Sequence, residues 1–413
     1  MLRLKESLLF AIVSLVVTVM WSVSSAHGSG FGVFTQGASA LGQADAVVAH
    51  TDGPSAIFFN PALINKLPGT QVEVGTTLIF PHRDFTATDG STATTRDKLF
   101  YPSTFYLTHA FNDKVSAGLG VFNPFGLSTD WGNDWQGRFI TTNSELQTFN
   151  INPVVSYRVT PSIAVAAGMD IVLLDATLER KIPTQLGEVG QKFTGDGNGI
   201  GYNLGIAVDA GKGITFGASY RSEVKIDING NAAFTLPSPL LSATFPNTGA
   251  TTSITLPQQV FAGIACQPTD RLVVEAGMRW EDWSSFDQLQ IAFAQPVAGL
   301  SSVSFPRDWH QTFAVNAGGK YRLNDTVSLL AGYLFGWNPV PDSTFEPAIT
   351  GSDSHLFSVG GEARFDRLSV TLAYAYQLFE ERTKTTNLYG PIANGTYNSD
   401  LHLLGLSFGY RFR

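Results

Sequence analysis

The sequence predicts an all-β fold: a 14-stranded antiparallel transmembrane β-barrel with an N-terminal hatch, or plug, inside the lumen. Three observations carry that prediction. Long segments alternate apolar and polar residues with period two, the connections between them alternate between short and long, and a Gly-, Ala- and Phe-rich stretch stands between a secretory leader and the first strand. The expected organisation is a leader over 1–28, a hatch over 29–69 and a barrel over 70–413.

Composition narrows the alternatives. Only 15% of residues are charged while 12% are aromatic, which argues against disorder. The mean hydropathy is close to neutral, too low for a bundle of membrane helices, and after the leader no apolar run of about 18 residues occurs. Arg3 and Lys5 precede an apolar run from Leu8 to Val23, followed by Ser24, Ser25, Ala26 and Gly28. That pattern is a signal peptide, with cleavage after Ala26 or Gly28. Its removal takes away Arg3, Lys5 and Glu6 and leaves a net charge of −9, which gives no support for binding nucleic acid. Cys266 stands alone, cannot form an internal disulfide, and reads as a partly buried thiol.

From Thr70 onward the chain reads as strands. Between Ile214 and Asn229 one face is Ile214, Phe216, Ala218, Tyr220, Ser222, Val224, Ile226 and Ile228, and the other is polar or Gly throughout. The same alternation recurs over 312–323, 357–365 and 368–377. Soluble sandwiches also alternate, but strands of ten residues or more suit a tilted membrane strand, which needs about 9–11. Short turns fall at 112–114, 159–161, 210–212, 268–270, 324–325 and 366–367. Long loops fall near 82–98, 124–143, 181–198, 233–252, 283–306, 336–354 and 379–398. Six turns and seven loops join fourteen strands, an even number as a single-chain bacterial barrel requires. The apolar faces then meet lipid, and Phe111, Tyr157, Tyr321 and Phe365 stand where strands meet turns, as an interfacial girdle. The last strand presents His402, Leu404, Leu406, Phe408, Tyr410 and Phe412 on its apolar face, with Arg413 one residue beyond the terminal aromatic.

A barrel of this width holds water unless something fills it. The stretch 29–67, with Phe31, Phe34, Phe58 and Phe59 and ending in Asn60-Pro61-Ala62, is the filler, folding back from a first strand expected over Thr70 to Phe80. By alternation Asp170, Arg221, Glu223, Lys225, Glu275, Arg279, Lys320, Glu362 and Arg364 face inward. Such charges either pair with one another and pin the plug, or meet a ligand. For an anionic ligand Arg221 and Arg279 are the candidates, because a guanidinium binds carboxylate in bidentate fashion.

The mature N-terminus Ser29-Gly30-Phe31, the run Gly37 to Gly42, and above all Ser55-Ala56-Ile57-Phe58-Phe59-Asn60-Pro61-Ala62 resemble the outer-membrane transporters of long-chain fatty acids and aromatic hydrocarbons, the FadL/TodX type. Val121 to Leu127, Gly137-Arg138-Phe139, Tyr220-Arg221-Ser222, Trp283 to Phe286 and Pro339 to Asp342 extend the likeness over the mature chain. Gly53-Pro54 interrupts the acidic turn usual before the motif, and Leu63 stands where Gly is common. The resemblance implies passive transport of a hydrophobic ligand caught by the outer loops. Such a ligand is bound near Gly30, Phe31, Phe34, Phe58 and Phe59, and the hatch is anchored by Asn60, Pro61 and Ala62. Release is sideways through a gap at a kinked third strand. Phe122, Asn123, Pro124, Phe125 and Gly126 are its candidate gate, since Pro removes a ladder bond and Gly permits a bend. From the residues alone Pro124 either interrupts the wall or begins the outer loop; the resemblance favours the interruption.

No cofactor and no metal are expected. The expected partners are a hydrophobic small molecule, outer-membrane lipid, and the barrel-assembly machinery that reads the last strand, with the chain a monomer in the bacterial outer membrane. An enzyme is not expected: the seven histidines form no metal-spaced pair, and no G-x-S-x-G elbow occurs. The alternatives are a general porin and, further off, a lipase-type barrel enzyme built from Ser and His on neighbouring strands.

Overall fold

The computed structural model describes residues 30–33, 35–386, 388 and 390–412. The leader with its cleavage site, Ser29, Phe34 and Arg413 lie outside the described residues. The wall begins with β1 (Thr70–Ala87), β2 (Ser103–Ala110), β3 (Val115–Phe122 and Gly126–Asp130), β4 (Asn143–Thr160), β5 (Ile163–Thr184) and β6 (Gly187–Gly211). It continues with β7 (Ile214–Arg221 and Val224–Thr235), β8 (Thr248–Leu256 and Gln259–Thr269), β9 (Leu272–Glu281 and Gln288–Val297) and β10 (Leu300–Pro306 and Thr312–Arg322). It ends with β11 (Val327–Gly336), β12 (Ser354–Phe365), β13 (Leu368–Phe379) and β14 (Gly395–Arg411). Each strand pairs antiparallel with the next, and β14 closes on β1 from Gln71↔Arg411 to Ala87↔Gly395. The described residues therefore form a closed 14-stranded barrel, which leaves no sheet edge for hydrocarbon to face.

All six expected short turns join consecutive strands on one rim. Phe111, Tyr157, Tyr321 and Phe365 are exposed on the outer surface near that rim, where an aromatic ring can lie at the lipid–water boundary. His402, Leu404, Phe408 and Tyr410 on β14, and Phe412 directly after it, are likewise exposed.

The other rim corrects the sequence reading in two ways. Segments expected as long loops are partly strand. Residues 181–198 form no loop: β5 and β6 run for 22 and 25 residues and meet in a tight turn at 185–186. Residues 283–306 include the hairpin Gln288–Val297 with Leu300–Pro306, and 233–252 includes the ends of β7 and β8. The wall thus rises well beyond the length that crosses hydrocarbon.

The second correction concerns which face points in. Arg221 is inward, as expected, but Glu223 and Lys225 are exposed and Val224, Ile226 and Ile228 are buried inside. β7 breaks at 222–223, and the break exchanges the two faces. Ile254 and Leu256 on β8 and Ile291 and Phe293 on β9 are buried in the same upper layer. The physical reason is a change of surroundings with height. Within the membrane the outside is greasy and the lumen polar, whereas above it the outside is wet and the apolar side chains turn inward to one cluster.

That cluster includes Phe31, Trp283, Phe286 and Trp309. A second cluster lies below it and contains the hatch. There α1 (Ala38–Gly42), α2 (Ala56–Phe59) and the 3₁₀ turn Pro61–Lys66 fill the lumen, with Ile57, Phe58, Phe59, Ala62, Leu63 and Ile64 buried. Such short helices hold only through packing and side-chain bonds. Asn60 is the central anchor. Its Oδ1 accepts from the Ala62 N–H at 3.1 Å and starts the 3₁₀ turn, while its Nδ2 donates to the carbonyls of Val48 and of Ile206 on β6, both at 2.9 Å. Pro61 at the first position of that turn has no N–H to leave unpaired. Ser156 of β4 donates to the Ala62 carbonyl at 3.1 Å.

β6 accepts the anchor because Gly205 has no side chain: a Cβ there would lie 2.6 Å from Asn60 Oδ1. Replacing Gly205 with Val is therefore expected to push the hatch off the wall without unravelling the barrel. Urea unfolding in lipid vesicles should show a loss of about 1–3 kcal/mol, typical of overpacking, with the β circular-dichroism signal retained. An unchanged urea midpoint would show that Asn60 is not held there.

Candidate functional site

The site is built where β3 is broken. Its lower part pairs with β2 up to Phe105↔Val121 and with β4 up to Phe122↔Asn150. Residues 123–125 leave the ladder, and Gly126–Asp130 resumes pairing with β4 alone. Pro124 supplies no N–H, and neighbouring side chains serve the other backbone groups. Asn123 Nδ2 donates to the Thr148 carbonyl at 2.7 Å and its Oδ1 accepts from the Ser103 N–H at 3.2 Å. Thr148 Oγ1 accepts from the Phe125 N–H at 3.0 Å and donates to the Phe125 carbonyl at 2.7 Å.

The remaining ladder positions are taken by the N-terminal segment. Gly32 bridges Phe125, the Val33 N–H donates to the Pro124 carbonyl at 2.8 Å, and the Gly126 N–H donates to the Phe31 carbonyl at 2.9 Å. Gln36 Nε2 donates to the Asn123 carbonyl at 2.7 Å. Phe31 is 5% exposed, with its ring centroid 4.5 Å from Trp283, 5.9 Å from Trp309 and 6.0 Å from Phe286. Gly30 takes φ +56 against Trp283, where a Cβ would lie 2.7 Å from the indole.

Beside this junction lies a cavity of about 450 Å³. Gly30, Phe31, Gly32, Val33, Leu41 and Asp45 line it from the hatch side, and Arg83, Lys98, Asn123, Phe125 to Ser128, Glu145 and Arg279 from the wall. It also reaches Leu99 and Tyr101, which are 45% and 68% exposed. The cavity therefore extends from a buried aromatic ring inside the barrel to residues exposed at the break in its wall.

The expected site residues fall into three groups. Gly30, Phe31, Asn123, Phe125, Gly126 and Arg279 line the cavity. Phe58 and Phe59 do not: they pack edge-on with Phe122 and Phe261 in the hatch cluster, and Phe122 stacks on Tyr106. Asn60, Pro61 and Ala62 hold the hatch to the wall. Arg221, on the wall, also holds the hatch. It ion-pairs with Asp170 at 2.5 Å, donates to the Ile57 and Phe58 carbonyls at 3.1 and 3.0 Å, and lies over the rings of Phe58 and Phe122. Arg279 pairs with Glu281 at 3.3 Å.

The other inward charges pin the hatch as well. Glu275 accepts the backbone N–H groups of Val48, Ala49 and His50 and pairs with His50 Nδ1 at 2.7 Å. Lys320 bridges Asp52 and Glu362, both at 3.0 Å. Burial works against charge on His50, but Glu275 and Asp52 outweigh it and raise its pKa. Burial likewise opposes ionisation of Asp52, yet Lys320 and His50 hold its carboxyl well below the usual range. Arg364 is half exposed beside Glu362, 2.9 Å away.

Sequence reasoning missed Arg83, Asp45, Lys98, Glu145, Leu99, Tyr101 and the Trp309 wall. Arg83 was within reach. The inward phase Glu73, Thr77, Ile79, Pro81, Arg83 continues unbroken once β1 is carried past Phe80 to Ala87. Asp45 follows Ala44 in a left-handed turn, with φ 62 and 50, and no periodicity marks such a turn.

A closed barrel with short turns on one rim, an apolar upper lumen and a plug bonded to its wall defines a plugged bacterial outer-membrane barrel. The chain belongs to the outer membrane protein transport protein family (OMPP1/FadL/TodX), whose model matches residues 18–412. It is 24% identical over 406 residues to a long-chain fatty acid transport protein of Salmonella typhi, covering 90% of this chain and 93% of that one. It is 23% identical over 464 residues to outer membrane protein P1 of Haemophilus influenzae, covering 97% and 99%. Among solved structures, a Pseudomonas aeruginosa FadL homologue superposes with TM-score 0.84 at 20% identity, over 93% of this chain and 100% of that one. The Pseudomonas putida toluene transporter TodX superposes with TM-score 0.72 at 18% identity, again over 93% and 100%.

Two outcomes follow from the charges. Arg221→Met leaves Asp170 buried without its partner, so unfolding in urea should lose about 3–5 kcal/mol. A loss below about 1 kcal/mol would show that Arg221 does not hold the hatch. Burial raises the Asp45 carboxyl to about 7, against the pull of Arg279. The folded state therefore holds a proton that the unfolded chain has released, and stability falls as pH rises from about 4 to about 7. Asp45→Asn removes that slope, so the mutant gains on the wild type across this window and keeps a constant lead above it. Parallel urea titrations at pH 4, 6 and 8 check the sign.

Proposed function

We propose that this chain is a passive outer-membrane transporter of hydrophobic compounds, long-chain fatty acids or related hydrocarbons. The ligand is caught by the outer loops and held in the cavity beside the N-terminal segment. It leaves sideways through the interruption in β3, the lateral gate formed by Phe122 to Gly126. One observation carries this reading: the cavity that starts at Phe31 ends at Leu99 and Tyr101, in the wall rather than at the short-turn rim. The names of the relatives point the same way, two curated and solved members being transporters of long-chain fatty acid and of toluene.

The energetics favour that route. Each methylene moved from apolar surroundings into water costs about 0.8 kcal/mol. An axial path to the short-turn rim runs through the hatch and its polar network of Glu275, His50, Asp52 and Lys320. A lateral path runs past Phe31, Phe125 and Leu127 to the exposed Leu99 and Tyr101 without crossing the hatch. The gradient of ligand supplies the direction. We also read the chain as a monomer whose last strand, ending at Phe412, is the segment the barrel-assembly machinery recognises.

The N-terminal segment is the movable part of the gate in this reading. Gly32 and Phe125 face one another as an antiparallel pair, a geometry in which a disulfide can form. The double variant Gly32→Cys, Phe125→Cys should fold, and its oxidation should abolish uptake of a radiolabelled hydrophobic substrate into cells. Reductant should restore it. Full uptake by quantitatively oxidised protein would refute the gate.

A further inference from the structure

We propose that the upper margin of the interruption in β3 is held shut by side chains instead of a ladder, and that the ion pair Lys98–Glu145 sets how readily it parts. The inference rests on the proposed lateral route and names what restrains it. The margin has two edges. One is the segment 95–102, which leads into β2. It stays on β1 through the Thr95 N–H to the Arg83 carbonyl at 3.0 Å, the Phe100 N–H to the Ile79 carbonyl at 3.1 Å and the Thr77 N–H to the Pro102 carbonyl at 3.1 Å. The other edge is the resumed part of β3, backed by β4. Beyond Phe122 the two edges share one backbone hydrogen bond among the described residues, from the Arg96 N–H to the Asp130 carbonyl at 2.7 Å. Side chains make the other crossings. Above the bond between Asn123 and Ser103 they are three cations on one side with acceptors on the other. Arg83 Nη1 donates to the Ser128 carbonyl at 3.2 Å, Arg96 lies 3.6 Å from Asp130, and Lys98 is ion-paired with Glu145.

Lys98 is the tie that spans the mouth. Glu145 stands opposite Ser128 on β4, so Lys98 reaches past β3 to the next strand. Both partners line the cavity, and Leu99 and Tyr101, at its exposed end, belong to the same segment as Lys98. Widening the mouth therefore means moving that segment away from β4. The height of the pair suits this role. On the outer face of β4 and β5 the exposed row Phe149–Leu173 is followed by Gln147–Asp175 and then by Glu145–Thr177. The wall turns from greasy to polar between the first two rows. The ion pair lies on the polar side, with side chains 39% and 40% exposed. Water can replace either partner there, so the tie breaks at low cost, whereas a ladder bond facing hydrocarbon has no such substitute. The docked residues 31–33 serve the ladder positions lower down, at 124–126. The interruption thus has two fastenings, one of backbone bonds and, above it, one of charges.

The test measures initial uptake of radiolabelled hexadecanoic acid and of hexadecane by cells making the full chain, two probes that share a length and differ in charge. Lys98→Met and Glu145→Gln should each speed uptake of every probe the wild type takes up by about two- to fivefold, the scale of an exposed ion pair. The double variant should go no further than either single one. The charge exchange, Lys98→Glu with Glu145→Lys, should return the rate toward wild type, which a pair that only supports folding would not do. Heat-modifiable migration in gels verifies that each variant is a folded barrel and normalises its amount. Unchanged or slower uptake by the folded single variants, additive gains in the double variant, a charge exchange as fast as the single variants, or acceleration of the acid alone would overturn the inference while leaving transport in place. Uptake of neither probe by folded wild type would overturn the transport reading and this inference with it.

Discussion

Hydrocarbon offers no hydrogen bond to a peptide group, so every backbone N–H and C=O in the wall must find its partner within the protein. β3 breaks this rule at 123–125, and the structure around the break is arranged to satisfy it by other means. Pro124 removes one donor. Asn123 and Thr148 supply side-chain bonds where the ladder stops. The chain's own N-terminal segment supplies the rest through Phe31 and Val33. The break is therefore tolerated only while residues 31–33 stay docked, and that dependence links the wall to the cavity the same residues line.

The hatch beneath is held by a different kind of bond. Its anchors are side chains of the barrel interior reaching hatch backbone: Arg221 to the Ile57 and Phe58 carbonyls, Ser156 to Ala62, Glu275 to three successive N–H groups. Removing one member of such a buried pair leaves an uncompensated charge, which costs several kcal/mol. The segment from 38 to 67 is thus bound far more strongly than the few residues before it. Those few residues are held by two backbone hydrogen bonds, Gln36 and the burial of one aromatic ring, so the proposed mechanism assigns the movement to them.

Much of the barrel was legible because its signals are local. Turns such as 324–325 and 366–367 are short and polar, and alternation over 368–377 has a single face to bury. The upper wall was not. In β7 the apolar residues keep the same parity from Phe216 to Ile228, so the sequence shows one unbroken stripe. The backbone reverses that stripe at 222–223, from lipid-facing to lumen-facing. Alternation records that one face is apolar; it does not record which medium lies on which side. The hatch motif was legible as an anchor through its resemblance to the family, and the structure gives the physical reason: Asn60 caps the 3₁₀ turn and Pro61 takes its first position. The resemblance places Phe58 and Phe59 near the ligand, and aromatic content alone does not distinguish a pocket from a core. Only the position of Phe122 and Phe261 settles that they are core.

Under the proposed mechanism the docked N-terminal segment and a ligand would compete on similar terms. Its two backbone hydrogen bonds contribute about 0.5–1.5 kcal/mol each, and burial of Phe31 about 1.5–3 kcal/mol. A ligand that buries four or more methylenes in the cavity gains about 3 kcal/mol or more, comparable with what holds the segment. Neither side dominates by the margin that would lock the wall shut or leave it open. In the proposed mechanism this near-balance lets a long apolar tail displace Phe31 from Trp283, while the deeper anchors keep the rest of the hatch in place. In that mechanism Pro124 and Gly126 lose their ladder partners once Phe31 leaves, beside the exposed Leu99 and Tyr101. Ligand binding and wall opening then become one event, which is how a barrel can pass a greasy molecule without becoming a water-filled pore.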